Sequence, residues 1–445
     1  MPRRTLALLL APLALALALP SQAQSLQELY DAARAYDAGY QSARAQAESI
    51  QYRTAQTRAL ALPNVALAGS GTRTESDPPA SFSNPSGGRL NTTSMSLAVN
   101  GRQPIFNRAN SVTIEQAEKS LEAAQADLQS AEQDLIVRVA QAYVDVLVSQ
   151  DALAAAQASK TAIAEQLASA KRNFEVGTAT ITDTREAQAR FDLATAAEIA
   201  ADNDLRTKRI ALDQVVGRPN LVPKPLATPV ALPSLVPSNV DDWVGPSQDG
   251  HPAVRRAVLG LDIARLETDK ARAGHMATVD AVASIGGSKI NGTGVSTGVA
   301  GSTTSASVGL QLALPLYAGN SVQNRIRETL ALEEKSRNDL DFARRTVAQN
   351  TRVAFYGYQS GQAQAKALEA AEASSKLALE ATQLGYKVGV RVNLDVLNAQ
   401  TQLFTTQRDL SKARYDVLLA GLRLRLAAGT LQPGDVNAVN ALLAK

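Results

Sequence analysis

Two stretches decide the reading of this chain: NFEVGTATITDTREAQ at residues 173–188 and GYKVGVRVNLDVLNAQ at residues 385–400. Each carries an aromatic residue, a valine and a glycine at matching positions, then an aspartate and a closing Ala-Gln. A glycine supplies the positive φ on which helices commonly end. An acidic residue in a first turn complements the helix dipole. Each stretch therefore reads as a helix, a tight turn at Gly177 or Gly389, and a new helix. The two begin 212 positions apart (385 less 173).

Working outward, a proline-free helical pattern precedes each turn, over about 107–172 and about 320–384. At 1.5 Å per residue, such a helix is roughly 100 Å long. It cannot fold inside a globule, so it must lie along others in an elongated bundle, where abundant Ala, Ser and Gln permit close approach. Helices follow the turns to about Val216 and about Ala428, the second ended by Gly429. Before each long helix stand two strand-like segments: NVALAGSGTRTE and NTTSMSLAVNGRQPI, then TVDAVASIGGSKI and ASVGLQLALPL. Met95, Leu97 and Val99 alternate with small or polar residues, as do Val308, Leu310, Leu312 and Leu314, the period of a strand with two unlike faces. The tips between paired strands are DPPASFSNPSGG and NGTGVSTGVAGSTTS. Amphipathic helices over 26–61, stopped by Pro63, and over 251–273 come before the strands.

The order helix, two strands, long helix, turn, helix thus occurs twice. QPIFNRANSV (103–112) and LPLYAGNSV (314–322) repeat the strand-to-helix junction as well. The period is too long for a solenoid and indicates a duplicated domain half. The chain divides into a first repeat over 24–216 (strands about 64–75 and 91–103), a connector over 217–250, a second repeat over 251–430 (strands about 278–290 and 304–315) and a C-terminal segment over 431–445. The connector holds seven prolines, which disfavour long regular elements. Its Trp243, the one tryptophan, reads as an anchor onto the helices.

Residues 1–23 read as a secretory signal peptide: Arg3 and Arg4, an apolar run, then Ser21-Gln22-Ala23 as a small-x-small cleavage site. There are no cysteines among the 445 residues, so neither disulfides nor a lipidated cysteine is available. With 45 basic and 42 acidic residues, the balance does not suggest a nucleic-acid binder. Two histidines, His251 and His275, and no phosphate-binding glycine loop leave catalytic, cofactor and metal readings without support. His251, before Pro252, reads as a helix-cap residue.

No stretch after the signal is apolar for long enough to be a transmembrane helix, so a bilayer would have to be crossed by strands. Each strand is about ten residues, enough to cross when tilted. Four cannot close, and an open edge in lipid costs several kcal/mol per unsatisfied group. Several chains would have to share one barrel. Two chains give eight strands, a barrel filled by its own side chains, whereas three give twelve and leave a duct. On this reading Met95, Leu97, Val99, Val308, Leu310 and Leu312 face lipid. The alternative is a trimeric coiled-coil surface fibre or adhesin with a membrane-anchoring barrel, but the strand pairs are internal and duplicated, not a terminal anchor.

The order of elements, with QPIFN, LPLYAGNSV, FEVGTATITD, YKVGVRVNLDVLNAQ and RYDVLLAGLRLRLAAGTL, resembles the TolC family of outer-membrane efflux and secretion proteins across essentially all of the mature chain. The resemblance implies an α+β membrane protein: a homotrimer with a shared twelve-stranded outer-membrane β-barrel continuous with a periplasmic α-helical barrel. It implies a passive channel working with a periplasmic adaptor protein and an inner-membrane ABC or proton-driven pump, without cofactor or metal. It places both turns at the periplasmic tip. Tyr386 and Arg391 fall on gate positions, with Thr182 and Asp183 as their partners across neighbouring coils. Asp395 and Asn398 fall at the entrance constriction. Asn398 departs from the family's second aspartate, and an amide cannot supply a fixed negative charge; Arg172 stands where a glutamine is expected. Phe174 reads as a packing anchor of the hairpin. Protein export by a type I system and efflux of small molecules fit equally, because the pump selects.

Overall fold

A computed structural model describes residues 23–77, 79–80, 88–227, 232–293 and 301–444. The signal segment before residue 23 and most of both strand-pair tips lie outside the described residues. The elements are α1 (Leu26–Tyr36), α2 (Ala38–Arg58), β1 (Asn64–Ser76), β2 (Leu90–Phe106), α3 (Arg108–Glu175), α4 (Ile181–Val216), α5 (Asp241–Gly250), α6 (Pro252–Arg272), β3 (Thr278–Asn291), β4 (Gly301–Ala313), α7 (Ser321–Lys387), α8 (Asn393–Ala427) and α9 (Asp435–Asn440). No helix among the described residues is long and apolar enough to cross a membrane.

Two expectations need correction. The helix read over 26–61 is two helices, broken at Asp37. The Asp37 carboxylate accepts the Tyr40 N–H at 2.7 Å, an N-cap for α2, while its own N–H closes α1 on Ala33. Arg138 of α3 holds the same carboxylate at 3.0 and 3.2 Å. The proline-rich connector also ends in a ten-residue helix, α5, which carries Pro246 inside it.

The chain forms two compact units, and each draws on both repeats. The helical unit comprises the chain up to Ala45, Asp127–Arg255 and the chain from Ala343. Its core is built by α1, whose Leu26, Leu29, Tyr30 and Ala33 recur at helical spacing. They pack with Leu135, Ile136, Val139, Tyr143 and Leu147 of α3, Leu205, Leu212 and Val216 of α4, and Tyr415, Leu419 and Leu422 of α8. Each fully buried Leu or Ile contributes about 1.5–3 kcal/mol. The connector is stitched to this core: Tyr143 donates its hydroxyl to the Lys224 carbonyl at 2.8 Å, and Leu226 bridges Leu443. Trp243 packs with Phe355, Leu424 and Ala428, the anchor expected of it. His251 Nδ1 accepts the Ala253 N–H at 3.1 Å, as a residue at a helix start.

The strand unit comprises Gln46–Ala126 and Arg256–Phe342. Its sheet is antiparallel throughout, in the order β1-β2-β3-β4. Glu267 of α6 accepts from Gln116 of α3 at 2.9 Å and from Arg325 of α7 at 2.7 Å, joining the helices beside the sheet. The Asn107 side chain caps α3 at the Asn110 N–H. At the matching junction Gly319 and Asn320 both take positive φ, 59° and 62°.

Candidate functional site: paired turns and an amphipathic sheet

Both glycine turns are built the same way. Gly177 N–H donates to Phe174 and Thr178 N–H to Asn173; Gly389 N–H donates to Tyr386 and Val390 N–H to Gly385. These pairs are Schellman motifs, with the glycines at φ 76° and 82°. The helices that follow differ. Thr180 and Asp183 form a capping box at the start of α4: the Asp183 carboxylate accepts the Thr180 N–H at 3.0 Å, and Thr180 Oγ1 accepts the Asp183 N–H at 3.2 Å. The equivalent cap position before α8 is Val392, which has no side-chain oxygen to offer. Asp395 is thereby left out of a capping box and pairs with Arg391 at 3.6 Å.

Polar contacts join the two hairpins within the helical unit. Asn173 donates to the Tyr386 hydroxyl at 3.1 Å. Gln166 donates to Asn393, which is 3% exposed and reaches the Asp183 carbonyl at 3.5 Å. Arg190 donates to Asn398 at 3.0 Å. Within one chain, then, Tyr386 meets Asn173, Arg391 meets Asp395, Asp183 is engaged by Thr180, and Thr182 is exposed. Phe174 is 43% exposed within the single chain. Asn173, Gln166, Asn393 and Arg190 had no distinguishing mark in the sequence, because single polar residues on long polar helices resemble a solvated face.

The sheet sorts its residues by face. Directly opposed residues share a face, so the register puts Met95, Leu97, Val99, Val308, Leu310 and Leu312 on one side with Val65, Leu67 and Ile285. All are exposed. The opposite face carries Asn64, Ser70, Thr72, Ser94, Ser96, Asn100, Ser284, Ser288, Thr303, Ser305 and Ser307. Hydroxyl pairs lie along it, Ser70 with Ser96 at 2.8 Å and Ser284 with Ser307 at 2.9 Å. An apolar face, a polar face and two free edges describe a segment of barrel wall.

The family model described as outer membrane efflux protein matches residues 29–218 and 243–430. The chain belongs to the outer membrane efflux protein family. Outer membrane protein TolC of Vibrio cholerae is 31% identical over 94% of each chain. Alkaline protease secretion protein AprF of Pseudomonas aeruginosa is 35% identical over 70% of this chain and 65% of its own. The crystal structure of the outer membrane protein VceC from Vibrio cholerae, 19% identical, superposes with a TM-score of 0.76 over 91% of this chain and 96% of that one, which establishes the common fold. This family member is an outer-membrane channel protein, and its long helices form the periplasmic part.

Proposed function

We propose that three copies form one passive export duct, with twelve strands in the outer membrane and the helices as a periplasmic tunnel. The observation that carries this reading is the amphipathic four-stranded sheet with β1 and β4 as free edges. In lipid those edges cost several kcal/mol per unpaired backbone group. Pairing β4 of one copy with β1 of the next removes them. An inner-membrane ABC or proton-driven pump, bridged by a periplasmic adaptor, supplies energy and selects the solute; the duct does neither. Secreted protein or small toxic molecules are its cargo.

The native absence of cysteine makes the assembly testable. Ser70 is replaced by cysteine together with Thr303, Ser305 or Ser307 in turn, and cells are oxidised. A ladder ending at a covalent trimer is expected from at least one pair. Monomers alone across the panel overturn the shared barrel.

The turns are the gate of this duct. Tyr386 and Arg391 hold Thr182 and Asp183 of the neighbouring coil, and Asp395 with Asn398 line the entrance. Thr182 is exposed, and Arg391 is solvent-facing with a single long intrachain pairing to Asp395, so both can reach a partner chain. Asp395, outside a capping box because of Val392 and only partly exposed beside Arg391, is placed to line a constriction. Y386F with R391S is expected to raise single-channel conductance in planar bilayers; an unchanged conductance removes the gate assignment.

A further inference from the structure

The polar face of the sheet is almost free of charge. Among the described strand residues, the charged ones on that face are Arg102 of β2 and Asp280 of β3. They are joined, with Arg102 Nη2 donating to Asp280 Oδ2 at 2.7 Å. The partners are unequal: the Arg102 side chain is 64% exposed and that of Asp280 5%. The second carboxylate oxygen, Oδ1, is buried without a hydrogen-bond partner. A guanidinium presents five N–H donors in a fixed fork that matches a carboxylate through two of them. Asp280 takes one of these donors and tethers Arg102 to the sheet, and the Arg102 side chain otherwise remains largely exposed.

Arg102 also borders a depression of about 290 Å³ in the same wall, together with Asn64, Asn100, Ser284 and Ser307. Amides and hydroxyls can donate hydrogen bonds, and among the described residues no carboxylate lines the depression itself, that of Asp280 being engaged by Arg102. A positioned guanidinium with neutral donors around it is suited to an oxyanion. Opposite Arg102 and its neighbours on the apolar face stand Val308 and Leu310, so the depression is at the depth of the apolar band.

We propose that Arg102, positioned by buried Asp280, is an oxyanion-binding station on the inner wall of the barrel, one per copy. It takes carboxylate or phosphate groups of solutes in transit. This rests on the barrel reading above, in which the polar face lines the lumen. The field of an exposed charge reaches about 10 Å at 0.1 M salt and about 3 Å at 1 M, so the station acts at low ionic strength and is silenced at high.

The test uses the purified full chain in planar bilayers in 0.1 M KCl. Inorganic pyrophosphate is added from the side of the strand tips, so that it reaches the lumen without crossing the turns. Pyrophosphate is expected to reduce the wild-type current. Arg102→Gln is expected to need roughly tenfold more for the same reduction, as loss of one charge-assisted contact implies. Arg102→Lys keeps the charge and part of the sensitivity, and 1 M KCl abolishes it in every variant. Equal sensitivity of wild type and Arg102→Gln, or an insensitive wild type, overturns the station while leaving the channel intact. Absence of channels overturns the barrel reading and the station with it.

Discussion

Asp37 shows how one side chain shapes the helical unit. Burial pushes its carboxyl up, but hydrogen bonds from the Tyr40 N–H and from Arg138 outweigh this and hold it below the ordinary carboxylate range. Because the folded value is the depressed one, the stabilisation is present above the unfolded value near pH 4 and is lost as acidification proceeds through the folded value. Arg138→Ala leaves a buried carboxylate with one partner fewer. Thermal unfolding followed by circular dichroism at pH 7 should show a loss of about 2 kcal/mol, and the difference from wild type should shrink below pH 4. A second residue-scale case separates the two repeats. Val392→Thr recreates at α8 the cap that Thr180 provides at α4, so Asp395 should be drawn from Arg391 into a capping box. A gain of about 1 kcal/mol in stability is expected. Unchanged stability would show that the valine is not what frees Asp395.

At the scale of elements, the glycines do different work at different ends. Around Gly177 and Gly389 an added Cβ meets nothing within 4 Å, so the requirement is for positive φ alone. Gly389→Ala should cost about 1–2 kcal/mol, and Gly389→Asn less, since asparagine tolerates the left-handed region. Gly217, at the end of α4, also takes positive φ, but a Cβ there would lie 2.2 Å from the Tyr36 ring. Gly217→Ala therefore adds displacement of that ring to the backbone cost, and should lower the melting temperature more than Gly389→Ala. Equal losses would mean that Tyr36 moves aside freely. The twin glycine turns were legible before the structure because helix-ending geometry is local. The break at Asp37 was less so: Asp-Ala-Gly-Tyr interrupts no apolar stripe, and the cap becomes decisive only once Arg138, a hundred residues on, secures it.

At the scale of the whole molecule, the two faces of the sheet predict opposite tolerance to charge. Leu97→Arg places a cation on the apolar face at mid-strand, where a lipid-exposed Arg costs about 2–4 kcal/mol. Ser305→Arg puts the same charge in the adjacent row of the polar face. The first should lower the amount of assembled, heat-modifiable oligomer on SDS gels of outer membranes, and the second should leave it near wild type. Equal loss from both would contradict the assignment of one face to lipid.

The sequence alone determined the duplicated order of elements, the strand spans to within a few residues, the two glycine turns and the family. All rest on local geometry and on periods of two or near 3.6, which a linear pattern records. Tertiary structure decided what period cannot carry. It put all six alternating apolar residues on one face by fixing the strand register. It turned Tyr386 to Asn173 and Asn398 to Arg190, contacts more than 200 residues apart along the chain. It also set Arg102 against Asp280, whose significance depends on every other described strand position of that face being uncharged. Such partners are selected by packing in three dimensions, and a polar residue in a polar stretch gives no advance sign of which distant residue it will meet.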